Sequence, residues 1–154
     1  VCWGLADSGR LEVPDSVNGT LGSARALSVG AAHACAIQAA SGAVVCWGLD
    51  FDGETTPPPS VDGTEGIATA ISLGHKISCA IRAGANQVVC WGNPRSGADL
   101  PPSSVNGVAG RAIAIAAGDG HVLAIRAPEP TDSALGVAGL LALASLARRR
   151  PVRA

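Results

Sequence analysis

Residues 67–107 read IATAISLGHKISCAIRAGANQVVCWGNPRSGADLPPSSVNG, and the fold is decided in this stretch. Ile67 to Leu73 is an alternating run of small and apolar residues that stops at Gly74. Lys76 to Ala83 follows as a second strand, with Ile77, Cys79 and Ile81 at period two on one face. Gly84-Ala85-Asn86 supplies a turn, Gln87 to Trp91 returns as a third strand, and Gly92-Asn93-Pro94 breaks it. A looser fourth segment, Leu100 to Val105, holds Pro101 and Pro102. Proline has no N–H to give to a ladder, so this segment is expected at a sheet edge.

The pattern recurs along the chain at an offset of 44 residues: Cys2-Trp3-Gly4, Cys46-Trp47-Gly48 and Cys90-Trp91-Gly92 contain all three tryptophans. The same offset links Gly9, Gly53 and Gly97; Pro14, Pro58 and Pro102; Val17, Val61 and Val105; and Gly30, Gly74 and Gly118. It also links Cys35 to Cys79, and Ile37 to Ile81 and Ile125. Three or four short antiparallel strands repeated every 40 to 50 residues are the signature of propeller blades. The helical and leucine patterns of other repeat arrays are missing. The expected fold is therefore all-β, an incomplete β-propeller of short antiparallel blades, ahead of a β-solenoid or a sandwich. Twenty glycines and ten prolines punctuate the chain too often for long helices before residue 130.

A net charge of −1 leaves no clustered basic face, so nucleic acid is not expected as a partner. The chain opens at Val1, inside a repeat unit, which reads as the C-terminal portion of a longer propeller.

Cys35 and Cys46, and Cys79 and Cys90, flank a hairpin at the same spacing. Symmetry about a turn centred between Ala40 and Ser41, beside Gly42, places Cys35 opposite Cys46 and Ile37 opposite Val44. Residues so paired lie about 4.5 to 5.5 Å apart, a separation that a disulfide tolerates. Two facing reduced thiols, or zinc ligation, are the alternatives; zinc is disfavoured because close C-x-x-C pairs are absent. Disulfides place the chain in an oxidising compartment. Cys2 is left unpaired, and the position equivalent to Cys79 in the last unit holds Leu123.

The order Gly30, His33, Cys35, Ala36, Ile37, then Val44, Cys46, Trp47, Gly48, Gly53, Pro58, Val61 and Gly63 resembles regulator of chromosome condensation repeats in a bacterial, cysteine-bearing form. The resemblance covers residues 1–127 and implies a propeller, commonly of seven blades. The Asn-x-x-Gly-Gln stretch of those repeats is reduced here to its glycine, and Ile77 replaces the motif histidine.

Residues 128–154 differ in kind. Pro128-Glu129-Pro130 leads into Thr131-Asp132-Ser133, an apolar run over 134–147 expected as one short transmembrane helix, and Arg148-Arg149-Arg150. Fourteen helical residues reach roughly 21 Å, a marginal span for a core of about 30 Å. Basic residues behind the run favour a cytoplasmic C-terminus. This ending resembles a PEP-CTERM sorting signal. The resemblance implies an exosortase-type membrane protease as partner, transient anchoring in the inner membrane, and delivery to the periplasm, cell surface or extracellular medium. A permanent tail anchor is the alternative.

No nucleophile, base and carboxylate set converges in the sequence, so no enzyme, cofactor or metal site is expected. His33 and His121 share one repeat position and read as structural hydrogen-bonding residues; His75 is off that register and faces solvent. Asp50-Phe51-Asp52-Gly53-Glu54 lacks most of the ligand pattern of a calcium loop. The repeated tryptophans, Trp3, Trp47 and Trp91, read as packing between blades in preference to sugar platforms. What remains is an exported interaction module whose loops Asp50 to Thr56 and Asn93 to Asp99 bind a protein or polysaccharide, with a secreted inhibitor of one partner enzyme as the alternative.

Overall fold

The computed structural model describes residues 1–128. Among the described residues eight strands form three antiparallel sheets in chain order: β1 (Ala24–Val29), β2 (His33–Gln38) and β3 (Val44–Gly48); β4 (Ala68–Leu73), β5 (Ile77–Arg82) and β6 (Val88–Gly92); then β7 (Ala112–Ala117) and β8 (Val122–Arg126). The strands expected over residues 67–91 are observed within one residue at each end. The fold is that of an incomplete propeller, and its register repeats down to an irregularity two residues long, at Ala24/Ala26, Ala68/Ala70 and Ala112/Ala114.

Leu100 to Val105 does not form a strand. With Pro101 and Pro102 lacking N–H groups, the segment folds as a turn in which Val105 N donates to the Pro102 carbonyl at 3.0 Å. A single ladder bond survives: Val88 N donates to Val105 O at 2.9 Å, as Val44 N donates to Val61 O at 2.9 Å one repeat earlier. Each complete blade thus has three strands and a docked turn, and the turn valines, Val61 and Val105, are buried in the two apolar clusters.

The cysteines sit in the expected register, Cys35 opposite Cys46 and Cys79 opposite Cys90, and both pairs are disulfide-bonded with Cα–Cα distances of 4.0 and 4.1 Å. Closing a loop of this size contributes about 3 kcal/mol in the chain-entropy account. Cys2 is free and exposed.

The sheets stack face to face, β1 and β2 against β4, then β4 and β5 against β7. Ser28 Oγ accepts from Leu73 N at 3.1 Å, and Ser72 Oγ accepts from Ala117 N at 2.9 Å, so the same cross-sheet bond is made at both junctions. The ends of the first strands meet so closely that a Cβ on Gly74 would lie 1.9 Å from the Gly118 carbonyl oxygen, and one on Gly30 would lie 2.5 Å from that of Gly74. Period-two alternation in β2 and β5 points to strands buried on one side, yet both faces are buried. Ala34 and Ala36, and Ser78 and Ala80, are small enough to let the neighbouring element close over the second face.

Among the described residues no helix is long and apolar enough to cross a membrane. The helix expected over 134–147, Glu129, Pro130 and Arg148 to Arg150 lie outside the described residues, and Pro128 is exposed.

Candidate functional site

The two loops that follow the Trp-Gly motifs are brought together by Asp52. Its Oδ2 accepts from Lys76 Nζ at 3.2 Å and from Asn93 Nδ2 at 3.0 Å, joining the first loop to the turn before β5 and to the start of the second loop. Lys76 also places its ammonium 5.6 Å from the ring centroid of Phe51, the only phenylalanine in the chain. Phe51 itself is 74% exposed. Asp50 braces the other side of the loop, accepting from Thr55 N at 3.0 Å and Thr56 Oγ1 at 3.1 Å. Burial acts to raise the Asp50 pKa, but these bonds and the nearby His33 outweigh it and hold the carboxyl below its ordinary value. Asn93 caps a 3-10 turn over Pro94–Ser96 by accepting from Arg95 N at 2.8 Å, and Gly97 closes that turn with φ +70°. The result is an exposed aromatic ring on a loop fixed at both flanks.

Beneath the loops lies a buried polar node at the junction of the first two blades. The Ser78 hydroxyl donates to the Glu54 carbonyl at 2.8 Å, and Trp91 Nε1 donates to the same oxygen at 3.0 Å. Because the Ser78 proton is committed to Glu54, the 3.0 Å contact between His33 Nε2 and Ser78 Oγ requires His33 to donate. His33 Nδ1 is then a bare acceptor, buried and without a partner. Burial lowers the His33 pKa; Glu54 and Asp50 oppose that and His75 adds to it. A serine beside a histidine suggests a nucleophile and its base, but Ser78 is fully buried and its proton points at a carbonyl. The arrangement is an inter-blade strut.

The repeated tryptophans divide by environment. Trp91 is buried, and Trp47 is half-buried with its Nε1 donating to the Arg10 carbonyl at 3.0 Å, the bond Trp91 makes to Glu54 shifted by one repeat. Both indoles therefore anchor a loop that precedes their own blade. Trp3 departs from the packing expected of it and is exposed, as no sheet lies over it among the described residues. Gly48 and Gly92 adopt φ of +104° and +114°, and a Cβ there would meet the Ala32 and Lys76 carbonyl oxygens at 2.7 and 2.5 Å. His33 is buried in the strut while His121 and His75 are exposed, and His75 Nδ1 lies 3.6 Å from Asp119. Asp50, Asp52 and Glu54 do not converge: Glu54 Oε2 turns inward to accept from Asp52 N at 2.7 Å. Among the described residues no group of three or more His, Cys, Asp or Glu is placed to hold a metal ion.

The sequence placed Asp52 and Asn93 within two candidate loops, but nothing in it joined them to each other or to Lys76. Asp52, Lys76 and Asn93 are distant in the chain and share no motif.

No protein-family model matches the chain, and no curated protein matches it in sequence. Solved structures match it by fold. The ectodomain of the receptor kinase CR4 from Physcomitrella patens is 21% identical with a TM-score of 0.55, over 77% of this chain and 28% of that one. Human WBSCR16 is 17% identical with a TM-score of 0.53, over 71% and 32% of the two chains. A structure of Kap60 bound to yeast RCC1 (Prp20) is 16% identical with a TM-score of 0.52, over 66% and 30%. These likenesses show a propeller-type repeat fold, and the chain spans about a third or less of the length of the structures it matches.

Proposed function

We propose that the chain is an exported, non-enzymatic interaction module that presents the Asp50–Thr56 and Asn93–Asp99 loops to a protein or polysaccharide partner at a bacterial surface. One observation carries the reading: Phe51 stands exposed on a loop that Asp52 ties to Lys76 and Asn93. An aromatic ring held rigidly at the surface loses little conformational entropy on contact, which is what an interface anchor needs. The repeat frame beneath it is stapled twice, and such staples suit a periplasmic or extracellular setting. The tail, with Pro128-Glu129-Pro130 and Arg148-Arg149-Arg150, acts as a PEP-CTERM-like sorting signal read by an exosortase-type protease, so the membrane holds the chain only before processing.

A pull-down from envelope fractions with the full chain tests the module. Retained polysaccharide supports a matrix role, and one stoichiometric enzyme supports inhibition. Phe51→Ala should reduce capture at least tenfold; equal capture by this variant would remove the loop from the account. Replacing Arg148, Arg149 and Arg150 with glutamine should abolish surface display while leaving the blades folded, and unchanged display counts against the sorting signal.

A further inference from the structure

The buried ring of His33 is joined, through two side chains, to the loop that carries Phe51. On one edge Nε2 donates to Ser78 Oγ at 3.0 Å, and the Ser78 hydroxyl donates onward to the Glu54 carbonyl at 2.8 Å. Glu54 Oε2 in turn accepts from Asp52 N at 2.7 Å, and Asp52, the residue after Phe51, holds Lys76 and Asn93. The other edge of the ring is unused. Nδ1 is buried without a partner, and Gly30 lies so close that a Cβ there would stand 2.9 Å from Nδ1 and 2.6 Å from Cε1. The Gly30 N–H is committed to the His33 carbonyl at 2.9 Å.

A proton added at Nδ1 therefore enters as a buried N–H with no acceptor, on a ring that becomes a cation. The charged groups around the ring decide where that cation turns. Glu54 acts on it most strongly and Asp50 next, both from the loop and both attractive, while His75, from the turn before β5, opposes its charging. Lys76 keeps its ammonium on Asp52, and Arg10 is paired with Asp7. β3 has no charged residue, and Arg25 of β1 and Arg82 of β5 are engaged at the far ends of their strands, on the Ala68 and Glu65 carbonyls. Both carboxylates that attract the cation are already braces of the loop: Glu54 through Asp52 N, Asp50 through Thr55 N and Thr56 Oγ1. Asp50 is held below its ordinary pKa, so mild acid leaves its brace ionised. At the next junction Ile77, Val122 and Ala98 replace His33, Ser78 and Glu54, so all three members are lost together.

We propose that the His33–Ser78–Glu54 strut is an acid-sensitive latch on the Phe51 loop: protonated at Nδ1, His33 draws the Glu54 carboxylate off Asp52 N, and the loop loses the hold that fixes Phe51 at the surface. The closed strut accepts only the neutral ring. In the opened state the new N–H reaches a carboxylate, so acid favours opening and the latch closes again as pH rises. An interface anchored by Phe51 then lets go of its partner in acid. That consequence rests on the binding role proposed above; the latch itself does not.

Phe51 is the only phenylalanine, so the full chain labelled with 4-fluorophenylalanine carries its one fluorine in this loop. Between about pH 7.5 and pH 4.5 the fluorine resonance should move toward its position in Asp52→Ala, where the loop is untied. It should do so with a single midpoint below 6.5, equal to that of the His33 ring followed by NMR on the same chain, while strand circular dichroism and both disulfides stay unchanged. The two midpoints are compared in the unaltered protein, so the comparison does not depend on any variant folding. His33→Ile should abolish the movement, and His75→Gln should leave it in place. Glu54→Gln, which keeps an oxygen for Asp52 N without the charge, should lower the His33 midpoint and at least halve the movement. A fluorine resonance that stays put while His33 titrates, still moves in His33→Ile, is lost in His75→Gln, or moves only with loss of the strand signal overturns the latch. Envelope capture at pH 7.5 is read separately: its absence removes the binding role, whereas the fluorine titration alone decides the latch.

Discussion

Replacing Ser78 by alanine isolates the strut between the first two blades. The hydroxyl accepts from His33 Nε2 at 3.0 Å and donates to Glu54 O at 2.8 Å, with Cys35 Sγ more distant at 3.9 Å, and it is fully buried. The Glu54 carbonyl keeps its bond from Trp91 Nε1 at 3.0 Å when the hydroxyl is removed, so only the His33 N–H is orphaned. No packing cost is expected, because Ala34 occupies the same place one repeat earlier. An orphaned buried donor costs about 1–3 kcal/mol, and the expected loss is about 2 kcal/mol. In urea unfolding at pH 7.5 with disulfides intact, that loss lowers the midpoint by about 1 M at unchanged slope. The equivalent pair at the next junction is Ile77 and Val122, which supplies a control: His33→Ile removes the orphan. The double variant should therefore be more stable than the sum of the singles by about 1 kcal/mol. A Ser78→Ala loss under about 0.5 kcal/mol, or strict additivity, would refute the strut.

Three further outcomes follow from the same geometry. Burial holds the His33 pKa below 6.5, so its contribution to stability is complete above pH 6.5 and is lost as pH falls through the lower folded-state value; His33→Ile should flatten the pH dependence of the urea midpoint in that window. Reducing either disulfide should cost about 3 kcal/mol, read as a lower thermal midpoint for Cys79→Ala with Cys90→Ala and for Cys35→Ala with Cys46→Ala. Gly74→Ala forces a Cβ to 1.9 Å from the Gly118 oxygen, whereas Gly120 has open space around its Cβ position; Gly74→Ala should cost upwards of about 3 kcal/mol and Gly120→Ala under about 0.5, by chemical denaturation.

The strands and the cysteine register were legible because both follow from local rules, period-two alternation and hairpin symmetry, and the 44-residue phase repeats each of them. The prolines of the Leu100 to Val105 segment permit a sheet edge, but permitting an edge is weaker than requiring one, and of that segment only the Val105 carbonyl joins the ladder. Burial of both faces of β5 was signalled only by small residues, Ser78 and Ala80, at positions a one-sided strand fills with polar ones. His33 and His121 looked alike in sequence because repeat position does not encode whether a neighbouring sheet covers them. The Asp52 hub was illegible for a different reason: Lys76 and Asn93 reach it from elements 24 and 41 residues away, and a surface hydrogen bond leaves no periodic trace.

Stacking of consecutive 44-residue units is the claim on which the rest depends, and nuclear Overhauser contacts at the junctions measure it directly. The Leu73 amide should show a contact to the Ser28 side chain and the Ala117 amide to the Ser72 side chain, matching the 3.1 and 2.9 Å bonds. In-sheet contacts such as Cys35 to Cys46 without either cross-sheet contact would mean that the three sheets form but do not stack as blades.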